Sequence, residues 1–143
     1  MRRFHFRLDR LLEIRKYHER EWELKLAEIT GICINLKNEI EKHIQEHADS
    51  FYSRKLMGVL DIAALQWNEI YQERLLREID RLRDILKEKE KIRSETNNKY
   101  LEASKKRKVL DKLKEKQQQK NYKNQLLEEI KAVDDINMMN FES

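Results

Sequence analysis

Residues His43-Ile44-Gln45-Glu46-His47 set two imidazoles four positions apart, with a carboxylate beside the second. This order matches the H-x-x-E-H arrangement of inverted zinc peptidases, where both histidines grip the metal from one helix face and the Glu acts as general base. A catalytic zinc also needs a third ligand and an enclosing site. A chain built of long polar helices offers neither, so the two histidines read as residues on or beside a coiled-coil seam. The sequence contains no Gly-rich phosphate loop, no nucleophile elbow and no Cys/His cluster. Its carboxylates are scattered along polar helices, without the desolvation that would split a pair into acid and base. The residues therefore point away from enzyme chemistry, and no catalytic residue, metal or cofactor is expected. The single Cys33, between Ile32 and Ile34, cannot form an internal disulfide and reads as a small buried hydrophobe.

The elements that must position these residues are helices. The chain is 41% charged and 39% hydrophobic, with no Pro and two Gly, the profile of a coiled coil. From Asp61 to Val133 there is neither Gly nor Pro, and nothing strong enough to end a helix. Such a helix would be on the order of 100 Å long, too long and too charged to wrap a globular core. It needs a partner helix along a narrow seam. No apolar run reaches the roughly 18–20 residues of a membrane span, and Asp9 and Arg10 interrupt the N-terminal apolar stretch before a secretory core forms. The expectation is a soluble, cytoplasmic protein.

The partner is the first fifty residues. Leu8, Leu11, Leu12, Trp22, Leu26, Ile29, Ile32, Leu36, Ile40, Ile44, Ala48 and Phe51 recur at three- and four-residue steps, tracing one face of a helix over about 4–51. The four-residue steps after Leu36 shift the heptad phase, so the supercoil is expected to relax there. Gly31 is a tolerated weak point, at about 1 kcal/mol relative to Ala. Ser50, Ser53 and Gly58 mark a turn over about 52–60, after which Asp61 can cap a second helix over about 61–133. Its stripe runs through Trp67, Tyr71, Leu75, Ile79, Leu82, Leu86, Ile92, Thr96, Tyr100, Ala103, Leu110 and Leu113. Residues 134–143 carry no continuing pattern and are expected to fray. The predicted fold is all-α: a single antiparallel coiled-coil hairpin over 1–143, with the second helix overhanging at the open end. If residues 51 and 61 face each other, partner numbers sum to about 112, and residues beyond roughly 112 have no partner helix.

Charge is segregated along the chain. Residues 1–20 hold seven basic and three acidic side chains, 105–125 hold nine and two, and 126–143 hold one and five. The predicted hairpin brings the two basic segments together at its open end, beside the overhang. A basic-leucine-zipper reading fails because d-like slots include His18, Lys25 and Glu39, and because Asp9, Glu13 and Glu19 would face phosphates. No nucleic-acid partner is expected.

Phe4-x-Phe6-x-x-x-x-Leu11-Leu12-x-x-Arg15, with Ala103-x-x-x-Arg107-x-x-Leu110-Asp111-x-Leu113-Lys114-Glu115-Lys116, resembles the FliJ family of the bacterial flagellar type III export apparatus. Length, two-helix order and a breaker near the middle agree, so the resemblance covers nearly the whole chain. It implies a non-catalytic, chaperone-like stalk similar to the gamma subunit of rotary ATPases, and a monomer. Its implied partners are the export ATPase ring (FliI), the export gate protein FlhA and export chaperones, with peripheral attachment to the inner membrane at the flagellar base. On this resemblance Arg7, Arg10, Arg15, Lys105, Arg107, Lys112 and Lys116 would meet the ring. Tyr71, Leu75 and Leu82 would meet the gate, although Glu78 stands where the family pattern favours a small apolar residue. The alternatives are the equivalent stalk of a virulence secretion system, which gene neighbourhood would separate, and a generic coiled-coil scaffold or export chaperone.

Overall fold

The structure, a computed structural model, describes residues 3–57 and 62–142. It contains two helices, α1 (Asp9–Met57) and α2 (Ile62–Glu142), and no strand among the described residues. The chain divides into two compact units: Met1–Glu21 with Tyr100–Ser143, and Trp22–Lys99. In each, a segment of α1 lies antiparallel against a segment of α2.

The first unit opens on residues that are not helical. The expected start at Phe4 is replaced by a non-helical segment and a turn, in which the Asp9 amide donates to the Phe6 carbonyl at 3.1 Å. The reason lies in the spacing. Phe4, Phe6 and Leu8 alternate with exposed His5 and Arg7, a two-residue period that a helix cannot gather on one face. In a helix, Phe6 would point away from the other two. Phe6 and Leu12 are buried with Leu110, and Phe4 and Leu8 pack on that cluster. The helix proper starts where Leu12 N–H donates to the Leu8 carbonyl at 2.9 Å, with Asp9 in the first turn against the positive end of the helix dipole.

The second unit is held by Ile40, Ile79 and Leu82, with Leu36 and Leu86 packed against them, and by buried Ile29, Cys33 and Leu75. Covered positions of α1 here run through 22, 26, 29, 33, 36, 40, 43, 47, 50 and 54 in alternating four- and three-residue steps, with 30, 31 and 46 half-covered beside them. The matching set on α2 is 65, 68, 72, 75, 79, 82, 86, 89, 93 and 96. The phase shift expected after Leu36 is absent. The seam continues through His43, His47 and Ser50, while Ile44, Ala48 and Phe51 lie exposed beside it. On α2 the seam takes Asn68 and Gln72 in place of the expected Trp67 and Tyr71. Cys33, wholly buried, occupies the slot expected for Ile32.

Pairing is set by contacts across the seam. Lys37 Nζ meets Glu90 at 3.0 Å, Trp22 lies under Lys99 Nζ at 5.7 Å, and Ser50 Oγ donates to Asn68 Oδ1 at 3.2 Å. Asn68 Nδ2 returns a bond to the Ser50 carbonyl at 3.3 Å. Ile40 therefore packs on Ile79 and Leu82, where the expected register would have faced it to Gln72. The shift follows from the length of α1. It continues to Met57 instead of ending near Phe51, because Ser50 and Ser53 form no cap when the preceding helix already satisfies their backbone. The remainder of the expected turn, Gly58 to Leu60, and the expected cap Asp61 lie outside the described residues. At its other end α2 runs through 134–142, where fraying was expected, because nothing from Ile62 to Glu142 breaks a helix.

Two measurements check this phase assignment. Gly31 has nothing within 4 Å of where a Cβ would stand, so Gly31→Ala should raise unfolding stability by about 0.5–1 kcal/mol. Ile79→Ala should cost about 2–5 kcal/mol, whereas Ile34→Ala, at an exposed position, should stay within about 0.5 kcal/mol. Urea unfolding followed by circular dichroism reads all three.

Candidate partner-binding surfaces

In the first unit the fold brings the two basic segments together. Arg7, Arg10, Lys105, Lys112 and Lys116 are exposed, and Arg15 is half-buried beside the seam. Arg107 is placed differently. Its Nε donates to Glu19 at 2.7 Å and its Nη1 to Asp111 at 2.6 Å, two charge-assisted bonds that hold the guanidinium protonated and pinned. Lys114 Nζ similarly donates to Asp9 Oδ1 at 2.8 Å. Arg107 and Lys114 therefore clamp α1 to α2 in this unit, while Arg7, Arg10, Lys105, Lys112 and Lys116 stay exposed. Composition could not sort these roles, because Glu19 and Arg107 are far apart in sequence.

The clamp leaves a titration signature. The Lys114 hydrogen bond holds the Asp9 carboxyl below its ordinary 3.8, assisted by the charges of Lys114, His5 and Lys16 against a smaller opposing effect of burial. Because the folded-state pKa is the lower one, the pair stabilises the fold fully above the unfolded value and loses that contribution as pH falls through the folded value.

Beyond Lys114 the seam's phase would pass through Gln117, Asn121, Asn124, Glu128 and Lys131, all polar. The apolar residues of this part of α2 take another phase. Leu126, Ile130 and Val133 line one shallow groove with Glu129 and Asp134, and Met138 and Phe141 line the next with Asp134 and Asn137. This face is apolar, flanked by acids, and exposed.

In the second unit the expected gate stripe is split by the seam. Leu75 and Leu82 are only 6% and 3% exposed, so α1 covers both, while Tyr71 is 46% exposed. The apolar surface near Tyr71 is instead a ridge that includes Trp67 and Ile70 on α2, with Ile44, Phe51 and Tyr52 exposed on α1. The signal that could have found it is the clash of phases. Ile44 and Phe51 fit a four-residue rhythm, whereas the helix keeps strict heptads. Glu78 is engaged by Arg81, whose Nε donates to it at 3.0 Å. That bond holds its carboxyl below the ordinary value, with a smaller attraction from His43.

The H-x-x-E-H stretch lies in the seam. His43 Nδ1 is 3.3 Å from Glu46 Oε2, and both are half-buried. Among the described residues no group of three or more His, Cys, Asp or Glu is arranged to hold a metal, and no helix is long and apolar enough to cross a membrane. Gln72 is a buried polar residue in the same seam, and its Nε2 has no hydrogen-bond partner among the described residues. An unmet donor of this kind costs about 1–3 kcal/mol.

Asp9→Asn should lower the thermal midpoint at pH 7. The gap from the parent chain should close as pH falls below 3.8, which parallel melts at pH 7 and under acid conditions would show. A gap that persisted in acid would mean that the Lys114 pair is not its source.

The model of the flagellar FliJ protein family matches residues 4–143. No curated protein and no solved structure matches the chain.

Proposed function

Because the chain belongs to the flagellar FliJ protein family, and is thereby a component of the flagellar export apparatus, we propose that it is a non-catalytic stalk joining the export ATPase ring to the export gate. The observation that carries this reading is the division of labour among the cations of the first unit. Arg107 and Lys114 are consumed in holding the helices together, and Arg7, Arg10, Lys105, Lys112 and Lys116 face outward as a basic surface. A surface of that sign complements acidic loops and speeds association with them. Preferential binding to assembled rings over free subunits would then shift the ATPase towards its hexamer.

Contact with the gate protein FlhA is assigned to the ridge of Trp67, Ile70 and Tyr71, supported by its exposure. Leu75 and Leu82 act from inside the seam, by holding α2 against α1. Association with the inner membrane is indirect, through the gate. Export chaperones are assigned to the apolar face of Leu126, Ile130 and Val133, a stripe at the spacing that amphipathic helices use to dock.

The deciding experiment measures the rate and oligomer mass of the flagellar export ATPase with and without this protein. The protein should raise the rate and shift the ATPase from monomer to hexamer. Charge reversal at Arg7, Arg10, Lys105, Lys112 and Lys116 to Glu should abolish both effects with helicity intact; stimulation that survives reversal removes the basic surface from the mechanism. Trp67→Ala with Tyr71→Ala should weaken gate binding by about tenfold or more, the scale of interface aromatics.

A further inference from the structure

The second unit carries polar residues where a coiled coil wants apolar ones, and apolar residues one position away. On α1 the seam holds His43, His47 and Ser50, and immediately after each stand Ile44, Ala48 and Phe51. On α2 the seam holds Asn68 and Gln72, and immediately before each stand Trp67 and Tyr71. Trp67 is 73% exposed, whereas Gln72 is 8% exposed and its amide nitrogen has no hydrogen-bond partner among the described residues.

We propose that this part of the protein has two seams, the one observed and a second in which α1 from Ile44 onward and α2 before Leu75 each turn by one residue, bringing Ile44, Ala48 and Phe51 against Tyr71, Leu75 and Ile79. The turn is about 100° per residue step. It requires no sliding of one helix along the other, because Phe51 follows and Trp67 precedes the observed partners Ser50 and Asn68. Both rearrangements join the observed seam at residues common to the two, Ile40 on α1 and Leu75 on α2. The joint consists of consecutive four-residue steps, 40–44–48 and 67–71–75, which is how a coiled coil absorbs a local change of supercoil.

The bonds that cross the observed seam here are polar. Ser50 and Asn68 exchange two hydrogen bonds, and Arg54 lies 3.8 Å from Glu69. The second seam gives up the Ser50–Asn68 bonds, moves the histidines and Gln72 outward to water, and covers the apolar ridge. Two packings of one sequence separated by so even an exchange form a bistable element. A partner that binds the ridge binds only the observed seam and selects it. The element itself rests on the chain alone, whether or not the ridge meets the gate.

Cross-linking of the full chain tests this, in a background of Cys33→Ala and Trp22→Phe so that the introduced thiols and Trp67 report alone. His47→Cys with Gln72→Cys reads the observed seam and should oxidise readily, leaving Trp67 open to iodide quenching. Ala48→Cys with Tyr71→Cys reads the second seam. It should also oxidise, roughly 10- to 1,000-fold more slowly, as a minor state of about 0.1–10% requires, and the oxidised chain should shield Trp67. Asp49→Cys with Glu73→Cys, outward in both seams, gives the background rate. Adding His43→Leu, which makes the observed seam more apolar, should slow the Ala48–Tyr71 pair by at least about tenfold. A rate for that pair no faster than the Asp49–Glu73 background overturns the proposal. So does unshielded Trp67 after its oxidation, or a rate indifferent to His43→Leu.

Discussion

A pair of helices has one line along which to hide apolar side chains, and every other property of this protein follows from how that line is filled. In a globular domain a misplaced polar residue can be met by neighbours on several sides. Here each seam residue faces only the opposite helix and the solvent at the flanks. Where the line carries Leu36, Ile40, Ile79, Leu82 and Leu86 it forms a dry core. Where it carries His43, His47, Ser50, Asn68 and Gln72, Ser50 and Asn68 join the helices by two hydrogen bonds, and the Gln72 amide nitrogen has no partner among the described residues. The strength of the pairing therefore varies along the chain in step with the sequence.

The same constraint explains why ion pairs matter in the first unit. Its apolar contribution is small: Phe6, Leu12 and Leu110, with Phe4 and Leu8 beside them. Isolated surface pairs contribute little. Arg107, however, is three-quarters buried and binds two carboxylates, one on each helix, so its bonds are shielded and geometrically fixed. Using Arg107 and Lys114 as clamps leaves Arg7, Arg10, Lys105, Lys112 and Lys116 exposed in the same unit. Clamping and exposed cations are thus residues that look interchangeable in composition.

Exposure of large apolar side chains also becomes intelligible. In the second unit Trp67, Ile70 and Tyr71 lie outside because strict heptads from Leu75 onward fix the phase of α2 before it reaches them. Near the end of α2, Leu126, Ile130 and Val133 lie outside, past Lys114, whose partner Asp9 is already the first residue of α1. Neither face can be covered by prolonging the pairing that precedes it. Both faces stay exposed in the observed pairing.

The sequence by itself determined the helices, their antiparallel order and the family. Absence of breakers and a repeating apolar pattern are local properties, and no tertiary contact is needed to read them. It also determined the segregation of charge. Tertiary structure decided what depends on choosing between rival phases. Ile44 with Phe51, and Trp67 with Tyr71, fit a four-residue rhythm that is as apolar as the true seam and more so, and only the long-range pairing of Ile40 with Ile79 and Leu82 settles which rhythm is used. It decided the non-helical start, because Phe4, Phe6 and Leu8 are gathered together only where Leu12 and Leu110 are there to receive them. It decided which of the basic residues are clamps, since Glu19 meets Arg107 and Asp9 meets Lys114 only after two distant stretches of chain are laid side by side. Propensity acts within a turn of helix; register is a property of two helices at once.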